Sequence, residues 1–338
     1  SSTSRAGIQR NIGGLTSSGA TNVSEALVLA RQTLEQGGAV DDRVRRILLL
    51  SDGRPTAGNT NAKHLTDLAL VSRSRGVTLS TLGLGEDYNE QLMTALANQG
   101  GGNYTFISDS SQLAEAFTRE FATLQNAIAR NALVTIQLAP GVRLERLHGF
   151  AFTQVPSPSG NTITVPLGEF WSGRNASMLL QLKTDRSMVG QRSIAKVGLA
   201  YRDLAARQPR SDQGQLSAAV VSDGALVERH KDGEVAMRYE QFMNIAAQDE
   251  AMRRYESGDV LGANAILDSR KKALEHKVKE FESAGLLDEE RARSFEKDRR
   301  QAEEATKAIN ALPASSNEGK RFLKRNRATN WNKSRSIY

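Results

Sequence analysis

At 338 residues the chain has room for two or three domains and for a core that buries roughly 75% of its unfolded surface. Its 39% hydrophobic, 25% charged and 5% aromatic content excludes disordered, collagen-like and disulfide-scaffold classes. The lack of cysteine removes disulfides, cysteine-ligated zinc, iron–sulfur clusters and thiol catalysis. The net charge of +7 is uneven: residues 313–338 carry +6, and the other 312 carry about +1.

Apolar runs such as 47–50 and 178–180 fall far short of the ~20 residues that a membrane helix requires. The first five residues, Ser-Ser-Thr-Ser-Arg, lack the apolar core of a signal peptide, so the start reads as processed or truncated.

From Ser4 to about Leu124 helical periodicity alternates with short β-branched or leucine-rich runs, the pattern of crossover units on a parallel sheet. Val23, Ala26, Leu27, Ala30 and Leu34 recur at three- and four-residue spacing and predict a helix over 23–35, with Asn22 able to cap it. A strand is expected over 45–50, a helix over 61–75 stopped by Gly76, and a strand over 77–83. A helix over 89–98, a strand over 103–107 and a helix over 111–124 complete a sheet of few strands. After Arg130 the period changes to two. Strands are expected over 133–139, 143–150, 162–166, 177–183, 193–201 and 215–221, with proline and glycine between them, as in an antiparallel β-sandwich. Beyond Val227 three helices, 234–256, 260–284 and 288–312, carry apolar stripes one face wide and suit a hairpin or bundle.

The expected architecture is therefore multidomain. An α/β doubly wound parallel sheet covers 1–128, an antiparallel β-sandwich 129–226, an α-helical hairpin or bundle 227–312, and a basic tail 313–338. The tail has no apolar stripe long enough to fold alone and is expected to be extended, ordered only by contact. Phe322, Trp331 and Tyr338 are its candidate anchors, because aromatics supply most of the contact energy of a thin segment. Its own protein, or a neighbouring copy in a homo-oligomer, would provide the surface.

Four histidines, at 64, 148, 230 and 276, have no zinc-site spacing and read as surface or packing residues. Gly-x-Ser-x-Gly is absent, and Gly83-Leu84-Gly85 lacks the rest of a phosphate-binding loop. With no nucleophile, base and orienter converging, an enzyme is disfavoured. What remains is Gly19-Ala20-Thr21-Asn22 at a helix start and Ser51-Asp52-Gly53 at a strand end. Ligands of a parallel sheet gather at the carboxyl ends of its strands. Hydroxyl and carboxylate oxygens suit a hard divalent cation, yet an N-capped helix and an Asp-Gly turn account for the same residues without one.

The blocks 14–30, 47–58, 81–85 and 101–107, in that order and spacing, resemble the second half of a von Willebrand factor A domain. The downstream region is similar, more loosely, to bacterial relatives of the inter-alpha-trypsin inhibitor heavy chains. The resemblance implies a doubly wound sheet with a metal-ion-dependent adhesion site at its top. Thr21 would be the threonine ligand and Asp52 the aspartate of the third loop, holding magnesium with calcium or manganese as alternatives. Ser51, Gly53, Arg54 and Thr56 would shape the rim that meets the partner.

The family's Asp-x-Ser-x-Ser loop is absent, which leaves two of five ligating side chains, so the metal is expected to be missing unless the upstream half of the domain is supplied. That half is expected to exist, cleaved but associated or outside these boundaries, since residues 1–125 alone would expose two apolar sheet edges. The resemblance implies a non-enzymatic adhesion protein that engages an exposed carboxylate on a protein ligand, placed extracellularly, at the cell surface or in the periplasm. The alternative is a cytoplasmic co-factor that couples a ring ATPase to its substrate. Nucleic acid is disfavoured as a partner, and nothing spans a membrane.

Overall fold

The computed structural model describes residues 5–14, 16, 19–36, 43–185 and 189–335. A short helix α1 (Arg5–Gly13), which no periodicity announces, precedes α2 (Val23–Gln36), β1 (Arg45–Ser51), α3 (Ala62–Ser74), β2 (Val77–Leu84), α4 (Glu90–Gly100), β3 (Gly101–Ile107) and α5 (Leu113–Gln125). The helix starts are fixed locally: the Asn61 side chain accepts from His64 N–H and that of Asn89 from Leu92 N–H, satisfying donors that have no partner inside the helix.

β1, β2 and β3 lie parallel in that order. Their pleat sends Ile47, Leu49, Val77, Leu79, Tyr104 and Phe106 to one face, where α2, α3 and α4 pack. Leu48, Leu82, Leu84 and Ile107 go to the other, against Leu113 and Ala116 of α5. Helices thus cover both faces, over a sheet of three strands. The outer edge of β1 pairs with no described strand, and Leu50 beside it is exposed.

The chain then turns to β4 (Ala127–Leu138), β5 (Val142–His148), β6 (Thr153–Val155), β7 (Thr162–Trp171), β8 (Leu179–Thr184), β9 (Gly190–Asp203) and β10 (Gln208–Val220). Five of them form an antiparallel sheet in the order β10-β9-β4-β7-β6, and β5 pairs with β8. The inward residues of both sheets, including Val134, Ile136, Val142, Leu147, Ile163 and Val165, make one core. β6 escapes the sequence reading because its three residues are all exposed and show no alternation.

A one-turn helix α6 (Gly224–Arg229) leads to α7 (Gly233–Glu256), α8 (Val260–Ser283) and α9 (Glu289–Ala311). The three long helices are N-capped by Asp232, Asp259 and Asp288. Met252, Tyr255, Leu267, Ala305 and Ile309 form their shared core.

The basic tail is a helix, which corrects the extended segment expected from its composition. α10 (Asn317–Arg335) lies against α7 and β3 and joins the α-layer of the parallel sheet, where Ala328 and Trp331 enter the core. Trp331 meets Tyr104 edge-on at 6.1 Å and donates its indole N–H to Asn98 Oδ1 at 3.0 Å. Phe322 meets Tyr255 edge-on, also at 6.1 Å. Tyr338, the third expected anchor, lies outside the described residues.

Polar contacts add to these. Lys324, buried, sits 3.6 Å from the Tyr88 ring centroid and donates to the Tyr88 carbonyl at 3.0 Å. Arg327 bridges Glu90 and Glu256, and Arg321 pairs with Glu86. Asn330 donates to Asp249 at 2.8 Å. Arg335 donates to the Gly102 carbonyl at 3.0 Å; burial, reinforced by Arg174 and Arg73 nearby, pulls its pKa down to about 9. An amphipathic stripe does not announce this helix, because its buried residues mix Leu323 and Ala328 with Lys324, Asn326, Asn330 and Arg335.

Arg46 holds the parallel sheet to the sandwich. Its guanidinium, at 2% side-chain exposure, is ion-paired with Glu120 of α5 and Glu169 of β7, each at 5%. Thr78 donates to the other oxygen of Glu169 at 2.7 Å. Removing one member of such a set strands a buried charge. Glu169→Ala should therefore cost about 3–5 kcal/mol in chemical denaturation. Deleting residues 315–338 should lower the melting temperature equally at every protein concentration with the solution mass unchanged. A concentration-dependent loss would place the tail in an oligomer.

Candidate functional site

The carboxyl ends of the parallel strands gather the loops that precede α2, follow β1 and follow β2. Asn22 caps α2: its Oδ1 accepts from Glu25 N–H at 3.1 Å and from Ser24 Oγ at 2.8 Å, while its Nδ2 donates to Glu25 Oε2 at 2.9 Å. This is a reciprocal cap of the kind that fixes a helix start.

The segment after β1 folds back over that start. Thr21 N–H donates to Thr56 Oγ1 at 2.9 Å. The Thr21 carbonyl accepts from Thr56 N–H at 2.9 Å and Ala57 N–H at 3.2 Å. Asn59 N–H donates to Ser24 Oγ at 3.1 Å. Between them Gly58 passes at φ 66°, so close that a Cβ would stand 2.2 Å from Asn22 Oδ1. Glycine is required there both for its backbone angle and for its lack of a side chain. No reading of the sequence singled out Gly58; the signal was its place six residues after Asp52, in a loop that had to return to Thr21.

The backbones of Thr21 and Thr56 are thus locked together, two of the sequence-predicted site residues. Ser51 Oγ donates to the Gly53 carbonyl at 3.0 Å and tightens the Asp-Gly turn. Thr21, Asp52 and Arg54 are exposed. Arg54 lines a cavity of about 450 Å³ with Glu86, Tyr88 and Lys320, so α10 borders this face. No hydrogen bond joins the Thr21 and Asp52 side chains.

Magnesium requires a near-octahedral shell of oxygens. Thr21 and Asp52 offer the right donor chemistry, but among the described residues no group of three or more histidines or carboxylates could hold a metal ion.

The architecture is that of an α/β domain with a threonine loop and an Asp-Gly turn at the carboxyl end of a parallel sheet. Residues 1–119 match the family model of the von Willebrand factor type A domain. Such domains commonly mediate protein–protein interaction and typically bind a divalent metal at their adhesion motif.

The chain is 30% identical over 180 residues to the uncharacterized protein YfbK of Escherichia coli, covering 53% of this chain and 31% of that one. It is 31% identical over 116 residues to human inter-alpha-trypsin inhibitor heavy chain H4, covering 32% of this chain and 12% of that one. Among solved structures, a von Willebrand factor type A protein from Catenulispora acidiphila superposes over 100% of this chain and 75% of its own, at a TM-score of 0.71 and 17% identity. That likeness reports the fold. The chain spans less than half the length of the curated relatives it matches.

If Gly58 holds the loop against α2, Gly58→Ala should cost about 1–3 kcal/mol in chemical denaturation. Gly53→Ala, whose added Cβ meets nothing within 4 Å, should stay within about 0.5 kcal/mol of the parent.

Proposed function

We propose that this chain is a non-enzymatic protein-binding component that meets its partner with the carboxyl-end face of the parallel sheet. The observation that supports this most is the locked pair of loops: Thr56 and Gly58 pin the α2 start, and Thr21, Asp52 and Arg54 are exposed on those loops. A pre-formed surface binds without the ordering cost that a mobile loop incurs. The sandwich, fixed through Arg46, acts as a rigid spacer.

In this reading Thr21 and Asp52 are two of the oxygen donors of a magnesium-dependent adhesion surface, completed by ligands from beyond these 338 residues or from the partner's own carboxylate. Magnesium titrated into the chain alone should show no binding tighter than about millimolar, because two weak oxygen ligands cannot replace its water shell. Proteins recovered from a lysate on the immobilised chain should be lost in chelator and on Asp52→Ala. Recovery at full strength in chelator would remove the metal from the mechanism, and recovery unaffected by Arg54→Glu and Thr56→Ala together would remove the face.

A further inference from the structure

The sequence holds three Asp-Gly pairs, at 52–53, 223–224 and 232–233, and no Asn-Gly pair. In an Asp-Gly pair the nitrogen after the aspartate is close enough to close a five-membered ring on its side chain, and glycine, with no Cβ, leaves that nitrogen open to the reaction. All three aspartates are exposed, so access to water does not separate them. Their hydrogen bonds do.

Asp223 and Asp232 are helix caps. Asp223 Oδ1 accepts from Ala225 N–H at 2.9 Å at the start of α6. Asp232 Oδ1 accepts from Glu234 N–H at 2.9 Å and Val235 N–H at 3.0 Å at the start of α7. Each carboxylate is thus turned forward onto N–H groups two or three residues on. Closing a ring on the nearer glycine nitrogen would pull it off those donors and leave them without a partner. Gly233 is also crowded, since a Cβ there would stand 2.5 Å from Leu286 Cδ1.

Asp52 differs on each count. It follows the last residue of β1 rather than opening a helix, and its carboxylate makes no hydrogen bond or ion pair with a described residue. Gly53 is held through its carbonyl, which accepts from Ser51 Oγ at 3.0 Å, while its N–H donates to no described residue. Nothing lies within 4 Å of the place a Gly53 Cβ would take, so no neighbour crowds the pair.

We propose that Asp52 is a site of covalent modification, the Asp-Gly pair at which the folded chain converts aspartate to isoaspartate. The Gly53 nitrogen attacks the Asp52 side-chain carboxyl carbon. The new C–N bond closes a succinimide, and the N–H proton and the carboxyl hydroxyl leave together as one water. Hydrolysis then returns one water to either ring carbonyl. One product is the original aspartate; in the other the backbone runs through the former side chain and the carboxylate hangs directly from Cα. Mass and oxidation state are unchanged. On the carboxyl-end face the second product draws the Asp52 carboxylate one carbon closer to the backbone and lengthens the loop by one methylene. The chemistry requires neither partner nor metal, so it stands if the binding role of that face fails.

The test holds the full chain for several weeks at neutral pH and physiological temperature, then compares the peptides containing positions 52, 223 and 232 by electron-transfer mass spectrometry. This fragmentation distinguishes the isomers at the extra backbone methylene. The same chain kept unfolded in guanidinium chloride gives the three intrinsic rates. Isoaspartate at 52 is expected to form in the folded chain at nearly its unfolded rate. At 223 and 232 folding should slow it by about fivefold or more, the population cost of releasing a cap. Gly53→Ala should slow the reaction at 52 by about fivefold or more at an unchanged melting temperature, because the added methyl crowds the attacking nitrogen.

Isoaspartate forming in the folded chain as fast at either cap as at 52 would overturn the proposal. So would suppression at 52 by folding to the degree expected at the caps, or an undiminished rate in Gly53→Ala. The first two comparisons use the parent chain alone, so they hold whatever the variant does to the fold.

Discussion

The buried guanidinium of Arg46 is the constraint on which the arrangement of the molecule depends. It sits on the second residue of β1 and is ion-paired with one carboxylate from α5 and one from β7, so a helix, a parallel strand and an antiparallel strand meet at one point. Two charges of one sign around one of the other leave a net negative set. Its neighbours answer that: Asn103 donates to Glu120, Thr78 to Glu169, and Arg174 to the Glu169 carbonyl. A buried ionic set of this kind stabilises little relative to an apolar replacement but penalises every arrangement in which one member is missing. Its effect is to fix the orientation of the two layers.

α10 extends the same logic over a longer distance in sequence. It supplies a helix to the α-layer of a sheet more than two hundred residues earlier in the chain, and it does so mainly with cations. Lys324 lies over the Tyr88 ring, and Arg335 lies over Trp331 and Phe150. Arg73 belongs to this neighbourhood too: burial lowers its pKa to about 10, and it donates to the carbonyls of Asn98, Gln99 and Pro166. Guanidinium groups suit such a junction because they remain charged after a drop of this size and present several donors in one plane. The junction therefore borders the carboxyl-end face, where Lys320 and Arg54 share a cavity, with a rigid helix in place of a loose tail.

The rigidity of that face has a separate and local origin. Thr21 and Ser24 form hydrogen bonds with the returning loop at Thr56, Ala57 and Asn59, and Gly58 permits the approach. Thr21 and Thr56, both exposed, stand on backbone tied down by these bonds and are pre-positioned. That is the property a recognition surface needs, whichever chemistry completes it.

The sequence by itself determined whatever depends on near neighbours. Hydrophobic period placed α2 to α5 and α7 to α9 within a few residues, and the caps at Asn61, Asn89, Asp232, Asp259 and Asp288 are themselves local, each bonding to N–H groups two or three positions on. The change from period 3.6 to period two marked the passage from the parallel sheet to the antiparallel strands, and the ordered blocks around Thr21 and Asp52 carried the family. Tertiary structure alone decided the rest. The helical state of 317–335 was hidden because its buried residues mix Leu323 and Ala328 with lysine, asparagine and arginine, and those polar side chains enter a core only where acids, carbonyls and aromatic rings from distant segments receive them. The roles of Gly58, Arg46 and Glu169 were hidden for the same reason. Each is set by an atom 36 or more positions away that no local pattern brings near.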